Sequence, residues 1–324
     1  MVKKTLNLSI PYIKKNELNH IVNCVKSGWV SSAGPLIEKF EKKITSFTKS
    51  KYAIACINGT SALHISLLLA GVTKNHEVIV PTVTFIAPIN AVKYCNAEPV
   101  FMDCDYDFNI NINKTIDFIN NCTFQKKGKC FNKKTNKHIS TIIIVHVWGN
   151  PVRLKELLKI CKLKNIKLIE DASESLGSSF EGYNKHTGTI GFCGCISFNG
   201  NKIITTGGGG VILTQNKNIA LKAKYLVEQA KNKSIWFEHD DIGYNYRMNN
   251  LQAALGIAQI ENLKKILKKR KNINKAYKKH LKNNFKYSFF THSNKSNYWM
   301  NLIKIKEENK IKLNKFINKF RKEL

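Results

Sequence analysis

An amine, a carboxylate and a loop of hydroxyl-bearing residues occur in this sequence at places from which they could act on one ligand. Lys202 stands in Ser197-Phe198-Asn199-Gly200-Asn201-Lys202 and is followed by Thr205-Thr206 and four glycines from Gly207 to Gly210. A lysine in a glycine-rich setting can serve as a Schiff-base nucleophile, because desolvation or a nearby cation lowers its pKa and frees the amine. For any one of many lysines the plain alternative is a solvated surface cation. Asp171, in Glu170-Asp171-Ala172-Ser173-Glu174, could hold a pyridinium nitrogen protonated or could cap a loop. In Asn58-Gly59-Thr60-Ser61, Gly59 permits close backbone approach, and Thr60 and Ser61 offer hydroxyls where free N–H groups and a helix dipole favour a phosphate. The same four residues also read as an ordinary helix N-cap.

Short β-branched runs position these residues. They are Tyr52–Cys56, Glu77–Val80, Pro99–Asp103, Thr141–Val145, Lys167–Glu170, Cys195–Phe198 and Gly210–Leu213, with helical stretches between them. Strands alternating with helices predict an α/β fold with a mostly parallel seven-stranded sheet between helices. Ligands collect at the carboxyl ends of such strands, where Asp171 and the Ser197–Lys202 loop fall. The helix after Asn58-Gly59-Thr60-Ser61 is expected over Ala62–Ala70. A polar stretch from Asn121 to His138 interrupts the alternation as a hairpin-like insertion would. After Arg247 the apolar residues Leu251, Leu255, Ala258, Leu263, Ile266 and Ile273 fall at near-helical spacing, which predicts a long amphipathic helix. It leads to a strand expected at Tyr298–Ile305. The expected division is 1–250 for a large domain with its N-terminal segment, and 251–324 for the long helix and part of a small C-terminal α/β domain. No internal repeat is present.

Composition removes several classes. The chain has 324 residues, 43% of them hydrophobic and 23% charged, ample for a folded core. Its formal charge of +31 first suggests nucleic acid. Of the 53 basic residues, however, only Arg153, Arg247, Arg270 and Arg321 are arginine. Readers of bases and phosphates lean on the bidentate fork of Arg, so a solvated lysine surface, able to attract an anionic small substrate, is the favoured reading over nucleic-acid binding. No apolar run approaches a membrane span and no signal sequence opens the chain. A soluble, cytoplasmic protein is expected. The nine cysteines show no CxxC pair, and Cys193 and Cys195 on one strand face read as small buried hydrophobes. No metal and no disulfide framework are expected.

Taken in order, a phosphate loop, an Asp after one strand, a Lys after a later strand and a Gly-rich turn supply what pyridoxal phosphate needs from a protein. With these motifs the sequence resembles the DegT/DnrJ/EryC1/StrS aminotransferases, fold type I enzymes that aminate keto groups of nucleotide-linked sugars. The resemblance runs from Ser27-Gly28-Trp29-Val30-Ser31-Ser32 to Asn297-Tyr298-Trp299. It implies pyridoxal 5′-phosphate as cofactor, with Lys202 as the lysine that bonds it and Asp171 as partner of its ring nitrogen. It likewise implies Ser197, Gly59 and Thr60 as phosphate ligands, Phe85 in Pro81-Thr82-Val83-Thr84-Phe85 as the stacking aromatic, and Glu174 beside the phenolic oxygen, where many relatives have His or Gln. Asn245 in Gly243-Tyr244-Asn245-Tyr246-Arg247 resembles the residue that reaches the cofactor phosphate of a partner subunit, which implies a homodimer with shared active sites.

Further details resemble the branch that serves legionaminic acid and related bacterial surface sugars, among them His146-Val147-Trp148-Gly149-Asn150, Glu174 and His239-Asp240-Asp241-Ile242-Gly243. The reaction implied there is transfer of an amino group from L-glutamate to a nucleotide-linked 4-keto-6-deoxy-N-acetylhexosamine. Two features depart from the pattern. Asn249 stands where relatives often have Pro, and the chain stops at Phe320-Arg321-Lys322-Glu323-Leu324, short of where relatives finish, so an incomplete small domain is expected. Two rival readings are a sugar dehydratase of the same fold, whose members typically carry His in place of Lys202, and a non-catalytic binding or regulatory protein.

Overall fold

The computed structural model describes residues 8–182, 185–232, 234–281, 287–305 and 310–323. In chain order its strands are β1 (Tyr52–Cys56), β2 (His76–Pro81), β3 (Glu98–Met102), β4 (Thr123–Lys126), β5 (Lys129–Asn132), β6 (His138–Val145), β7 (Lys167–Asp171), β8 (Cys193–Ser197), β9 (Gly210–Thr214), β10 (Tyr287–Phe289) and β11 (Ile303–Ile305). Its helices are α1 (Lys15–Lys26), α2 (Pro35–Thr48), α3 (Gly59–Leu69), α4 (Ala87–Tyr94), α5 (Ile112–Asn121), α6 (Lys155–Leu163), α7 (Lys217–Val227), α8 (Asn250–His280) and α9 (Lys310–Glu323). All seven expected runs form strands, although β6 begins at His138 rather than Thr141. Among the described residues no helix is long and apolar enough to cross a membrane.

The main sheet has the order β1-β9-β8-β7-β6-β2-β3. β8, β7, β6, β2 and β3 pair in parallel, and β9 lies antiparallel between β1 and β8. β1 therefore points the same way as the parallel strands. The carboxyl ends of β1, β7 and β8 meet at one edge, together with the amino end of β9. The insertion forms the β4–β5 hairpin, whose Phe131 pairs with His138 of β6, so the sheet extends to nine strands rather than seven. β6 is buried along nearly its whole length, as a strand covered on both faces must be.

One face packs Leu63, Ile65 and Leu67 of α3 and Ala223 and Leu226 of α7 against Ile54, Val80 and Ile212. The other packs Phe40 and Ile44 of α2 and Ala253 and Ile257 of α8 against Ala55, Ile196 and Val211. A third cluster lies beneath α5 and α6 and includes Ile142, Ile144 and Leu157. Cys193 and Cys195 are buried in the first cluster as small apolar residues.

Local chemistry sets the ends of the helices near the site. Asn249, where relatives often have Pro, caps a helix: its side chain accepts the Gln252 N–H at 2.8 Å while the Gln252 side chain accepts the Asn249 N–H at 3.2 Å, a reciprocal cap that starts α8. The first half of α8 packs on α1 and α2. The strand expected over Tyr298–Ile305 is confined to Ile303–Ile305. Ahead of it, the Asn297 side chain accepts the Trp299 N–H at 2.9 Å, and Tyr298 takes a left-handed φ of 56°, which breaks the extended run. The turn places Trp299, 1% exposed, in the same cluster as Phe40 and Phe198.

Phe40 is fully buried and packs edge-on against Phe198, with ring centroids 5.3 Å apart. Phe40→Ala is expected to cost about 3–5 kcal/mol. The loss should appear as a lower urea midpoint with an unchanged slope; an unaltered midpoint would mean that this contact contributes nothing to the fold.

Candidate active site

The first turn of α3 begins at Gly59, three residues before the Ala62 expected from sequence. Asn58 is its N-cap, and its side chain accepts the Ser61 N–H at 2.8 Å. This cap uses the Ser61 donor and leaves the N–H groups of Gly59 and Thr60 at the helix start, where a phosphate is favoured. A Cβ on Gly59 would sit 2.8 Å from the Ser197 Cβ, so glycine is what allows β8 to bring the Ser197 hydroxyl beside the helix terminus. Gly210 serves the same approach from β9, since a Cβ there would lie 2.5 Å from the Asn58 backbone.

At the end of β7 two adjacent carboxylates have different surroundings. Glu170 is fully buried and accepts N–H groups from Gly188 and Ile190 at 2.7 Å and Gly191 at 2.6 Å. It also accepts the Nε2–H of His146 at 3.0 Å; the proton is on Nε2 because Nδ1 accepts the Val152 N–H at 3.1 Å. Burial raises the Glu170 carboxyl, but these donors more than compensate and hold it below its ordinary value. Asp171 points into the site with the Ser173 N–H on one oxygen at 3.0 Å. Burial pushes its carboxyl up, against the pull of Ser173 and Lys202. A cation beside Asp171 would relieve that penalty.

Lys202 sits on a loop closed at its base by Phe198 and Gly209: the Phe198 N–H donates to Gly209 O and the Thr206 N–H to Phe198 O, each at 2.9 Å. Next to Lys202, the Asn201 carbonyl accepts the Trp299 Nε1–H at 2.8 Å, tying the loop to the C-terminal turn. The ammonium lies 4.6 Å from the Phe85 ring centroid, 4.4 Å from that of Trp299 and 3.8 Å from Glu174 Oε1. Burial pushes the Lys202 amine below the ordinary lysine value, against Glu174 and Asp171. Burial also pushes the Glu174 carboxyl up to about 7, opposed by Lys202 and by the Trp148 N–H, which donates to Glu174 Oε2 at 2.5 Å.

Gly59, Thr60, Phe85, Asp171, Glu174, Ser197 and Lys202 all line one cavity of about 330 Å³. Asn245 does not. It lies exposed on the bridge it forms with Glu228, along a stretch whose Ile235, Trp236, Phe237 and Ile242 also face outward. The cavity fits pyridoxal phosphate: free helix-start donors and a serine suit its phosphate, a buried carboxylate suits its ring nitrogen, and a desolvated amine suits its aldehyde. Thr84 Oγ1 and Asn201 Oδ1, on two lining residues, find no hydrogen-bond partner among the described residues. Among the described residues no group of three or more His, Cys, Asp or Glu could hold a metal ion.

Sequence reasoning passed over His146, Glu170 and Trp299 as parts of the site. His146 directly follows β6, so the strand-end rule that singled out Asp171 would have found it. Trp299 reaches Lys202 from 97 positions away through a turn, and no local pattern signals that.

Glu170 also yields a test with a defined sign. A carboxylate held below its unfolded pKa contributes stability that is complete above that value and is lost as pH falls through the folded one. Glu170→Gln should lower stability at pH 7 by about 3 kcal/mol or more, because an amide cannot accept all four donors. Urea midpoints between pH 7 and pH 3 should fall less for the variant than for the parent. Equal falls would show that Glu170 does not govern the acid limb.

Comparison with known proteins gives the family. The model of the DegT/DnrJ/EryC1/StrS aminotransferase family matches residues 11–324. A GDP-perosamine synthase of Escherichia coli O157:H7 is 37% identical over 273 residues, 84% of this chain and 70% of that protein. The crystal structure of a DegT DnrJ EryC1 StrS aminotransferase from Brucella abortus superposes with a TM-score of 0.83 at 27% identity, covering 94% of this chain and 78% of the other. The fold also matches, with a TM-score of 0.82 at 22% identity and 97% and 84% coverage, a GDP-4-keto-6-deoxymannose-3-dehydratase with a trapped PLP-glutamate geminal diamine. The chain therefore belongs to the DegT/DnrJ/EryC1/StrS aminotransferase family, as a pyridoxal-phosphate-dependent sugar aminotransferase of nucleotide-linked amino-sugar biosynthesis.

Proposed function

We propose that the chain transfers the amino group of L-glutamate to the keto carbon of a nucleotide-linked 4-keto-6-deoxy sugar. An N-acetylhexosamine of the kind used for legionaminic acid and related bacterial surface sugars is the form favoured by the motifs around His146 and Glu174. The observation that carries the reading is the meeting of the Lys202 amine, the Asp171 carboxylate and the open start of α3 in one cavity. Similarity to a GDP-perosamine synthase supports a nucleotide-linked sugar and brings GDP-linked sugars into the range to be assayed. A lysine at 202, rather than histidine, favours amination over dehydration. The work is assigned to the cytoplasm, with residues 1–250 as the cofactor-binding part and 251–324 as the second part.

Pyridoxal phosphate supplies, when bound, an aldehyde that takes up the amino group and a ring that delocalises the electrons left when Cα loses its proton. The chain's residues do the rest. The Gly59 and Thr60 N–H groups with the Ser197 hydroxyl would hold the phosphate. Asp171 would keep a proton on the ring nitrogen, and Phe85 would supply an apolar face to the ring. Lys202, as a free amine, would take the proton from the substrate Cα and give one back. Burial of Lys202 serves this role directly, because it lowers the amine's affinity for a proton.

The site is assigned to a homodimer, with Asn245 of one subunit at the cofactor phosphate of the other. The exposed apolar side chains along 235–242 support a contact surface there.

A panel of GDP-, UDP- and dTDP-linked 4-keto-6-deoxy sugars, assayed with L-glutamate for 2-oxoglutarate release, tests the reaction. Asp171→Asn should retain cofactor and lose about a hundredfold or more in turnover on the sugar that is aminated. Turnover within a factor of about two would reduce Asp171 to a loop cap. For the dimer, an inactive Lys202→Ala chain mixed with an impaired Asn245→Ala chain should recover part of the activity through hybrid sites. No recovery despite demonstrated subunit exchange would count against shared sites.

A further inference from the structure

The cavity contains one titratable contact that the reaction as described leaves without a task. Glu174 Oε1 lies 3.8 Å from Lys202 Nζ, and the two side chains are 6% and 8% exposed. We propose that Glu174 is the proton partner of Lys202: its carboxylate holds the lysine as an ammonium whenever that nitrogen is not bonded to the cofactor, and takes that proton when the amine must be free. This deepens the reading of Lys202 as the reacting amine and rests on it.

Geometry makes Glu174 suited to the exchange. Its Oε2 is anchored by the Trp148 N–H at 2.5 Å, so its Oε1 is the atom left facing the lysine. The anchor is itself rigidly built. Trp148 and Gly149 both have left-handed φ, at 53° and 81°, and a Cβ on Gly149 would overlap the Asn297 amide. That amide donates in turn to the Glu174 and Leu176 carbonyls, at 2.8 and 3.0 Å. Glu174 is thus fixed by its carboxylate to the loop after β6 and by its backbone carbonyl to the C-terminal turn. Lys202, on a long flexible stem between the Phe85 and Trp299 rings, is the member free to close the remaining distance.

The transfer balances without any other reactant. One proton passes from nitrogen to oxygen, turning ammonium and carboxylate into amine and carboxylic acid, and the reverse step restores both. The charged groups that face Glu174 are Lys202 and Asp171, and the other groups bonded to it, from Trp148 and Asn297, carry no charge. Asp171 is already engaged by Ser173, which leaves Glu174 as the nearer carboxylate for the lysine. Burial pushes the Glu174 carboxyl up to about 7 and the Lys202 amine down, so their proton affinities move toward each other. Exchange between them is easier than between an exposed glutamate and an exposed lysine.

Trace labelling with acetic anhydride across pH, read on the Lys202 peptide of the full chain without added cofactor, reports the ionisation of this amine alone. Removing a nearby anion lowers an amine's pKa. In Glu174→Gln the Lys202 midpoint should therefore fall by about one unit, with about tenfold faster labelling at a fixed pH below it. Glu174→Asp, which keeps the charge, should return the midpoint toward that of the parent. A misfolded variant would move the opposite way, toward the value of an exposed lysine. In the loaded enzyme the pH profile of the glutamate half-reaction should change in Glu174→Gln and return toward that of the parent in Glu174→Asp. A Lys202 midpoint unchanged by Glu174→Gln overturns the proposal. Because labelling uses neither sugar nor donor, it stands apart from the sugar assay: failure to aminate any sugar, with the midpoint shift intact, would reject the proposed substrate and leave this pairing in place.

Discussion

Two carboxylates and an amine are withdrawn from water together at the end of β7, and each of Asp171, Glu174 and Lys202 is stabilised as a buried ion by the opposite charge beside it. Each carboxyl is raised by burial and drawn back by the lysine, while the lysine is lowered by burial and drawn back by both acids. That mutual compensation demands exact placement, and much of the surrounding architecture supplies it. Antiparallel β9 closes the loop that bears Lys202. Glu170, saturated by four donors, fixes the loop that leads into β8 against β7 one residue from Asp171. Gly59 and Gly210 let β1, β8 and β9 approach closely enough to set a helix terminus beside the same cavity.

The site also draws on both sides of residue 250. The turn at Asn297–Trp299 donates to the backbone of Glu174, fills the core beside Phe40 and Phe198, and places an indole against the lysine. One turn thereby couples the packing of α2 and α8 to the chemistry at the sheet edge. A change that loosens the C-terminal part would be felt at Lys202 even with every cofactor contact from β1 to β9 intact.

The strands were legible because buried strands favour short apolar runs with β-branched residues bounded by turns, which the seven runs supply, although β9 lies antiparallel to both its neighbours. Asp171, Ser197 and Lys202 were legible because chemistry gathers at strand carboxyl ends. The start of α3 was misplaced by three residues, since Gly59, Thr60 and Ser61 are poor helix formers whose helical state depends on the Asn58 cap. The Tyr298–Ile305 strand was overdrawn because its apolar residues suit either a strand or a buried turn, and Asn297 decides between them through contacts 121–123 residues away. Glu174 was legible only through resemblance. Its contact with Lys202 and its anchor on Trp148 are tertiary facts, invisible to spacing.

The account rests on Lys202 as the residue that bonds pyridoxal phosphate. Loading the chain with the cofactor, reducing it with borohydride and mapping the modified peptide tests that claim most directly. The pyridoxyl group should be found on Lys202 at close to one per chain, and Lys202→Ala should carry none. A label on a different lysine, or one spread over the lysine-rich surface, would contradict the account.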